Sequence, residues 1–170
     1  MFCLKICLLL WAVCQTDTST RHITDRYREI NAHIGSYRQV VIDSEQQSTE
    51  GGEVTGYFSG DSIVLIIENV FGEMGKTSAE IYYDHGAPVF IYSRNYHYRI
   101  PMYGGTFSNK DITVEEDRTY FKNDKMIKWI NNKKVPLTKR DQSFTTCEQT
   151  QLEYAQQLYT RLQKARLNPS

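Results

Sequence analysis

Hydrophobic positions follow a helical period in the first part of the chain. Steps of four, three, four and three residues place five apolar side chains on one helix face: Ile23, Tyr27, Ile30, Ile34 and Tyr37. Thr24 or Asp25 can cap the start of this helix, and Gly35 can end it. We predict a helix that packs over a sheet, and a helix that binds a partner is the second interpretation.

After the polar segment 43–52, the spacing of hydrophobic residues changes to the period of two that is typical of strands. Short runs rich in β-branched and aromatic residues alternate with Gly, Asp and Asn, which are typical of tight turns. The runs cover residues 53–59, 62–70, 77–84, 88–98, 112–122 and 125–130. This pattern predicts an antiparallel meander of about six strands.

A second helical period closes the chain. Thr145 and Glu148 have the spacing of a capping box, and Leu152, Ala155, Tyr159 and Leu162 follow at steps of three and four. We therefore predict one α+β domain over residues 15–170, in which the meander is flanked by an N-terminal and a C-terminal helix.

The first 14 residues differ from the rest. Lys5 precedes the apolar run from Ile6 to Val13, which is too short to cross a bilayer, since a spanning helix takes about 20 apolar residues. The pattern predicts a signal peptide over residues 1–14 of an exported bacterial protein, secreted or in the periplasm or envelope. Cleavage after Cys14 is one mode. Lipid modification of Cys14, which would be the one route to the membrane, is the second, and a buried N-terminal strand or helix is the structural alternative.

Composition narrows the partner class. The chain has 20 basic and 20 acidic side chains, and 12% of its residues are aromatic, so disorder and general nucleic-acid binding are both disfavoured. Removal of residues 1–14 takes away only Lys5 among these charges, so the mature chain is also nearly neutral. The basic residues between 122 and 140 are read as a solvated edge hairpin, with contact to an anionic surface as the alternative.

The sequence lacks the residues of several common functional sites. The segment Gly72–Thr77 ends in Gly-Lys-Thr, but it lacks the first glycine of a phosphate-binding loop and precedes a predicted strand. The four His residues and the single Cys of the body, Cys147, form no metal motif, and we predict neither a metal nor a cofactor. Cys147 is expected to be half-buried on a helix, and a nucleophilic role is the alternative.

The candidate binding surface lies in residues 90–103. On a strand Tyr92, Arg94, Tyr96 and Tyr98 share one face, while Ser93, Asn95, His97 and Arg99 share the other. Tyr and Arg are the residues that recognition surfaces favour. We predict a surface for a protein, a peptide or a glycan, formed by Tyr92, Arg94, Tyr96, His97, Tyr98, Arg99 and Tyr103. The alternative is cross-strand tyrosine packing with Arg lying over the rings.

Three functions follow from these features. The first is a noncatalytic binding module. The second is a small hydrolase in which Glu50, Glu53 and Glu73 meet His97 in a cleft. The third is a lipid-anchored structural protein of the envelope.

A resemblance to other proteins is relevant to the choice among these three functions. The segments Ser48-Thr49-Glu50-Gly51-Gly52-Glu53, Tyr57-Phe58, Gly72-Glu73-Met74-Gly75-Lys76 and Tyr82-Tyr83 resemble small exported bacterial proteins of uncharacterised function, over residues 20–130. Paired aromatics before polar turns, as in Tyr57–Asp61, Tyr82–Gly86 and Tyr120–Asp124, also resemble MORN-like β-hairpins. The resemblance implies an exported bacterial β-meander, and it carries over no catalytic residues to this chain.

Overall fold

The fold is an α+β arrangement in which one antiparallel sheet lies between two helices. The computed structural model describes residues 18–46, 48, 50–101 and 107–168. Its helices are α1 (Thr18–Ala32) and α2 (Gln142–Leu167), and short 3-10 turns occupy Ile34–Ser36 and Asn109–Asp111. The predicted signal peptide, the lipidation site Cys14 and Tyr103 lie outside the described residues.

In the described part of the chain, the sheet has eight strands in sequential order, which form an antiparallel meander. The strands are β1 (Arg38–Asp43), β2 (Gly52–Ser59), β3 (Ser62–Gly72), β4 (Gly75–Asp84), β5 (Ala87–Tyr98), β6 (Ile112–Lys122), β7 (Lys125–Ile130) and β8 (Pro136–Leu137). The six predicted strands are confirmed. The prediction of about six was low because it omitted β1 and β8, the two edge strands.

Two-residue turns join four of the strand pairs. Gly60 and Gly86 have φ values of 60° and 81°, and Asn123 and Asp124 have 51° and 55°. Backbones with positive φ match the right-handed twist of the flanking strands, which explains why Gly, Asn and Asp stand there. The segment Gly72–Thr77 forms the β3–β4 hairpin, so it continues into a strand rather than a phosphate-binding helix.

The two helices cover opposite faces of the sheet. Consecutive strand residues point to opposite sides, and Leu65, Tyr82 and Phe90 pack with α1, while their neighbours Ile66, Ile81 and Ile91 pack with α2. From α1, Ile23 and Ile30 enter the first core, and from α2, Leu158 and Leu162 enter the second. The sheet is thus buried on both sides over part of its area.

The helix boundaries correct two details of the sequence analysis. Helix α1 begins at Thr18, so Thr24 and Asp25 lie inside it rather than at its start. Helix α2 has Asp141 as its N-cap residue, so the capping box predicted at Thr145 and Glu148 is wrong. The carboxylate of Glu148 instead accepts a hydrogen bond from the backbone N–H of Met126 at 2.6 Å and attaches α2 to the β6–β7 hairpin. No helix in the described part of the chain combines the length and apolarity needed to cross a membrane.

Candidate functional sites

The Tyr/Arg row of β5 lies on the α1 side of the sheet. Pairing with β4 and β6 runs without a register shift from Phe90 to His97, so residues alternate strictly there. Tyr92, Arg94 and Tyr96 therefore share the face of Phe90, as the sequence predicted. His97 points to the α2 side.

Cations lie over the rings of this row. The guanidinium carbon of Arg94 is 4.9 Å from the ring centre of Tyr92, and that of Arg118 is 5.3 Å from the same centre. The ammonium of Lys76 is 4.8 Å from the ring centre of Tyr96. Such contacts favour fixed side-chain positions on a partly exposed surface.

Carboxylates complete the network between the strands. Arg94 donates to Glu80, and Arg118 donates to Glu116 at 2.6 Å. The Tyr92 hydroxyl donates to Glu116 at 2.5 Å. Burial, together with this hydrogen bond to a carboxylate, raises the pKa of Tyr92, so the phenol is a neutral donor at physiological pH. The row is preorganised before any partner arrives.

Apolar side chains extend the surface across four strands. The register aligns Phe71, Lys76, Tyr96 and Val114 in one cross-strand line. Phe71 is 36% exposed and Val114 is 43% exposed. We call this region of the α1 side the open face, made of Phe71, Lys76, Glu80, Tyr92, Arg94, Tyr96, Val114, Glu116 and Arg118.

A groove connects the open face to α1. It has a volume of 360 Å³ and is lined by Ile23, Tyr27, Phe90, Tyr92, Arg118 and Tyr120. Its walls are largely aromatic, and Tyr92 with Arg118 belongs to both the groove and the open face. A surface of this kind can receive one apolar anchor beside a flatter contact area.

Other predicted binding residues have structural roles. Tyr98 is 8% exposed, and its ring packs edge-on against Phe107 at 5.3 Å between centres. Arg99 follows the end of β5 and donates from Nε to Asp111 at 2.9 Å. Hydrogen bonds from Arg99 and Ser108 lower the pKa of Asp111, which favours the ionised carboxylate. Phe107 thus packs on the buried Tyr98, whereas the side chain of Arg99 is 76% exposed, and a binding role for the two residues stays a prediction.

Glu53, one of the carboxylates assigned to the hydrolase alternative, lies on the opposite side of the sheet from His97. Glu53 pairs across the sheet with Asn69, and that line continues through Ser78 to Arg94, which places Glu53 on the α1 side. The imidazole of His97 lies on the opposite side, where its acidic neighbour is Glu115 at 3.7 Å. Glu73 is exposed in the β3–β4 turn.

A second candidate site lies under α2. Glu68 of β3 is only 3% exposed, and its carboxylate accepts hydrogen bonds from Ser44 at 2.6 Å, from Gln46 at 2.8 Å and from the Tyr154 hydroxyl. Burial and the bond to Glu68 raise the pKa of Tyr154, which keeps its hydroxyl a donor. Next to this cluster is a cavity of 420 Å³.

A smaller cavity of 260 Å³ adjoins the first and shares Ser93, Asp117 and Gln151 with it. Trp129, Thr119 and Cys147 complete its lining. The indole N–H of Trp129 donates to Asp117 at 2.8 Å. Burial, with the charge of Asp117 nearby, raises the pKa of Cys147 to about 11, so its thiol is protonated and a poor nucleophile at neutral pH.

Sequence reasoning missed residues of both sites. Phe71, Lys76, Val114 and Arg118 belong to the open face only through the register of four strands, which no local pattern specifies. For the cavity under α2, the sequence did contain an indication. Glu115, Asp117 and Thr119 occupy alternate positions of β6, so their polar side chains share one face of the sheet.

The comparisons with known proteins add no relatives. Searches against protein families, curated proteins and solved structures found no match. The resemblance to exported bacterial proteins and to MORN-like hairpins therefore stays a prediction. Among the residues that the structure describes, no group of three or more His, Cys, Asp or Glu side chains could hold a metal ion.

Proposed function

We propose that this protein is a noncatalytic binding module that recognises a peptide segment of a protein partner through the open face. The observation that carries the proposal is the cross-strand line of Phe71, Lys76, Tyr96 and Val114, in which the exposed apolar side chains of Phe71 and Val114 lie on either side of the half-buried Tyr96. Of the seven large hydrophobic residues exposed in the described chain, four lie on the α1 side; Phe71 and Val114 belong to the open face, and Tyr27 and Val41 lie outside it. Grouped exposed apolar residues are typical of interaction surfaces.

A peptide fits this surface better than a glycan. Guanidinium groups of Arg94 and Arg118 already lie over the ring of Tyr92, so that ring is not free to stack on a sugar. The exposed residues beside it are aliphatic or phenyl groups, which bury well against apolar side chains. The 360 Å³ groove next to α1 offers a place for one such side chain.

Export from a bacterial cell is part of the proposal. It is supported by the sequence of residues 1–14, in which Lys5 precedes a short apolar run. The mass of the mature N-terminus tests it: a chain that begins at Gln15 supports free export, and a lipid-modified Cys14 supports an anchored envelope protein.

Selection from a random peptide library displayed on phage tests the binding function. We expect the folded protein to enrich peptides that share one apolar or aromatic anchor, and Tyr96→Ala and Phe71→Ser to weaken their binding by about tenfold or more, as for a central interface residue. Fluorescence polarisation with synthetic versions of those peptides measures the dissociation constants.

The matched controls are Val135→Ser and Leu167→Ser, which remove exposed apolar side chains away from the open face. These variants should bind like the parent protein. Failure to enrich any peptide family, or equal loss in the control and open-face variants, contradicts the proposed function.

A further inference from the structure

Two cavities with many hydrogen-bond acceptors in their lining lie next to each other under α2. They adjoin, because Ser93, Asp117 and Gln151 line both. Glu68 and Glu115 line the larger one. Arg94 also borders it, but its guanidinium bonds to Glu80 on the opposite face of the sheet. Among the described residues, the smaller cavity, which contains Asp117, has no basic residue in its lining.

Two buried acceptors in this space have no protein partner. The Thr119 hydroxyl is buried without a hydrogen bond, in a residue that is 3% exposed. The side-chain oxygen of Gln151 is also buried and unpartnered. A buried polar atom left unpaired destabilises the folded protein, so two such atoms in one cavity point to a ligand that pairs with them.

The free acceptors match the donors of a primary ammonium group. Asp117 uses one carboxylate oxygen, Oδ1, for the indole N–H of Trp129, which leaves Oδ2 available. With the Thr119 hydroxyl and the Gln151 carbonyl, three acceptors line the smaller cavity, and an ammonium carries three N–H donors. Trp129 and Cys147 supply an apolar wall for the carbon chain of a ligand.

We infer that the cavity under α2 binds a small aliphatic amine, with its ammonium at Asp117, Thr119 and Gln151. A diamine suits the two adjoining cavities, because Glu115 lines the larger one and offers a carboxylate for the second ammonium. The charge of Asp117 selects a cation over a neutral polyol. This site is separate from the open face, since it lies on the other side of the sheet.

Calorimetric titration with diaminobutane, and with butanediol as the neutral analogue of the same length, tests the inference. We expect diaminobutane to bind and butanediol not to bind. Asp117→Asn keeps an acceptor for Trp129 but removes the charge, and it should weaken diaminobutane by about tenfold or more. Thr119→Val removes one acceptor at nearly constant shape, and a loss of about fivefold is expected.

Glu153→Gln is the matched control, because it makes the same change in net charge on the exposed side of α2. It should leave binding unchanged. The NMR signal of the Trp129 indole N–H in the unmodified protein gives a readout independent of any variant, and it should shift with diaminobutane alone. No binding of diaminobutane, equal binding of butanediol, or equal weakening by Glu153→Gln and Asp117→Asn overturns the inference and leaves a water-filled cavity.

Discussion

Gly75 begins β4 and stands next to Lys76, a residue of the open face. A Cβ atom built on Gly75 would lie 2.1 Å from the backbone oxygen of Tyr96. That oxygen belongs to the β4–β5 pairing, so no side-chain rotation can relieve the overlap. Glycine here lets the two backbones approach and places Lys76 opposite Tyr96.

Gly75→Ala should therefore separate the ends of β4 and β5. We expect a loss of about 3 kcal/mol in the free energy of unfolding, at the upper end of the cost of overpacking. Chemical denaturation of the purified variant measures it. Peptide binding at the open face should fall as well, because the clash lies beside the Lys76–Tyr96 pair of that face.

Gly35→Ala is the control for this change. Nothing lies within 4 Å of a Cβ added at Gly35, so the free energy of unfolding should stay within about 0.5 kcal/mol of the parent. If Gly75→Ala were equally neutral, the close approach of the two strands would not be a feature of the protein in solution.

At the scale of elements, the turns were the part of the fold that the sequence predicted best. The β6–β7 turn places Asn123 and Asp124 at φ values of 51° and 55°, a backbone that costs non-glycine residues free energy. Asp124→Gly should remove this cost and raise the free energy of unfolding by about 0.5 kcal/mol. Asp124→Pro should lower it by about 3 kcal/mol, because the proline ring fixes φ at a negative value. Urea midpoints of the two variants check the opposite signs, and shifts in the same direction would contradict this turn geometry.

Sequence patterns within one element predicted the features that depend only on that element. Alternation along β5 correctly placed Tyr92, Arg94 and Tyr96 on one face, because a period of two is a property of the strand itself. The edge strand β1 was missed since its exposure alternates only between exposed and half-buried positions, and β8 has two residues. The burial of Tyr98 depends on Phe107, which is distant along the chain, so no pattern within β5 could indicate it.

At the scale of the whole molecule, the sheet is held between two cores that use tyrosines as well as aliphatic residues. Tyr82 lies on the α1 side, where its ring contacts Tyr27 at 5.0 Å between centres. Tyr83 lies on the α2 side, and its hydroxyl donates to the carbonyl of Ala155 at 2.8 Å. Tyrosine therefore links both helices to the sheet through rings and hydroxyls together.

This arrangement makes the fold sensitive to alkali. Burial raises the pKa of both Tyr82 and Tyr83 above the ordinary value, with a hydrogen bond to Glu80 adding to the effect at Tyr82. An unfolded phenol ionises near pH 10. The stabilising effect of the two neutral phenols is therefore fully present below about pH 10, and it is lost as the pH rises toward their folded pKa.

Above about pH 10, each phenol that stays protonated only in the folded state should reduce the free energy of unfolding by about 1.4 kcal/mol per pH unit. Urea unfolding at a series of alkaline pH values measures the slope, and tyrosinate absorbance should show the buried phenols ionising together with unfolding.

Tyr83→Phe separates this effect from packing, because it keeps the ring and removes the ionisable hydroxyl. At neutral pH, the free energy of unfolding of this variant should be lower by about 1 kcal/mol, because the hydrogen bond to Ala155 is lost. Above about pH 10, its free energy of unfolding should fall less steeply with pH, because the variant has one buried phenol fewer. An unchanged slope would mean that Tyr83 ionises as readily in the folded protein as in the unfolded chain, which its burial between the sheet and α2 does not allow.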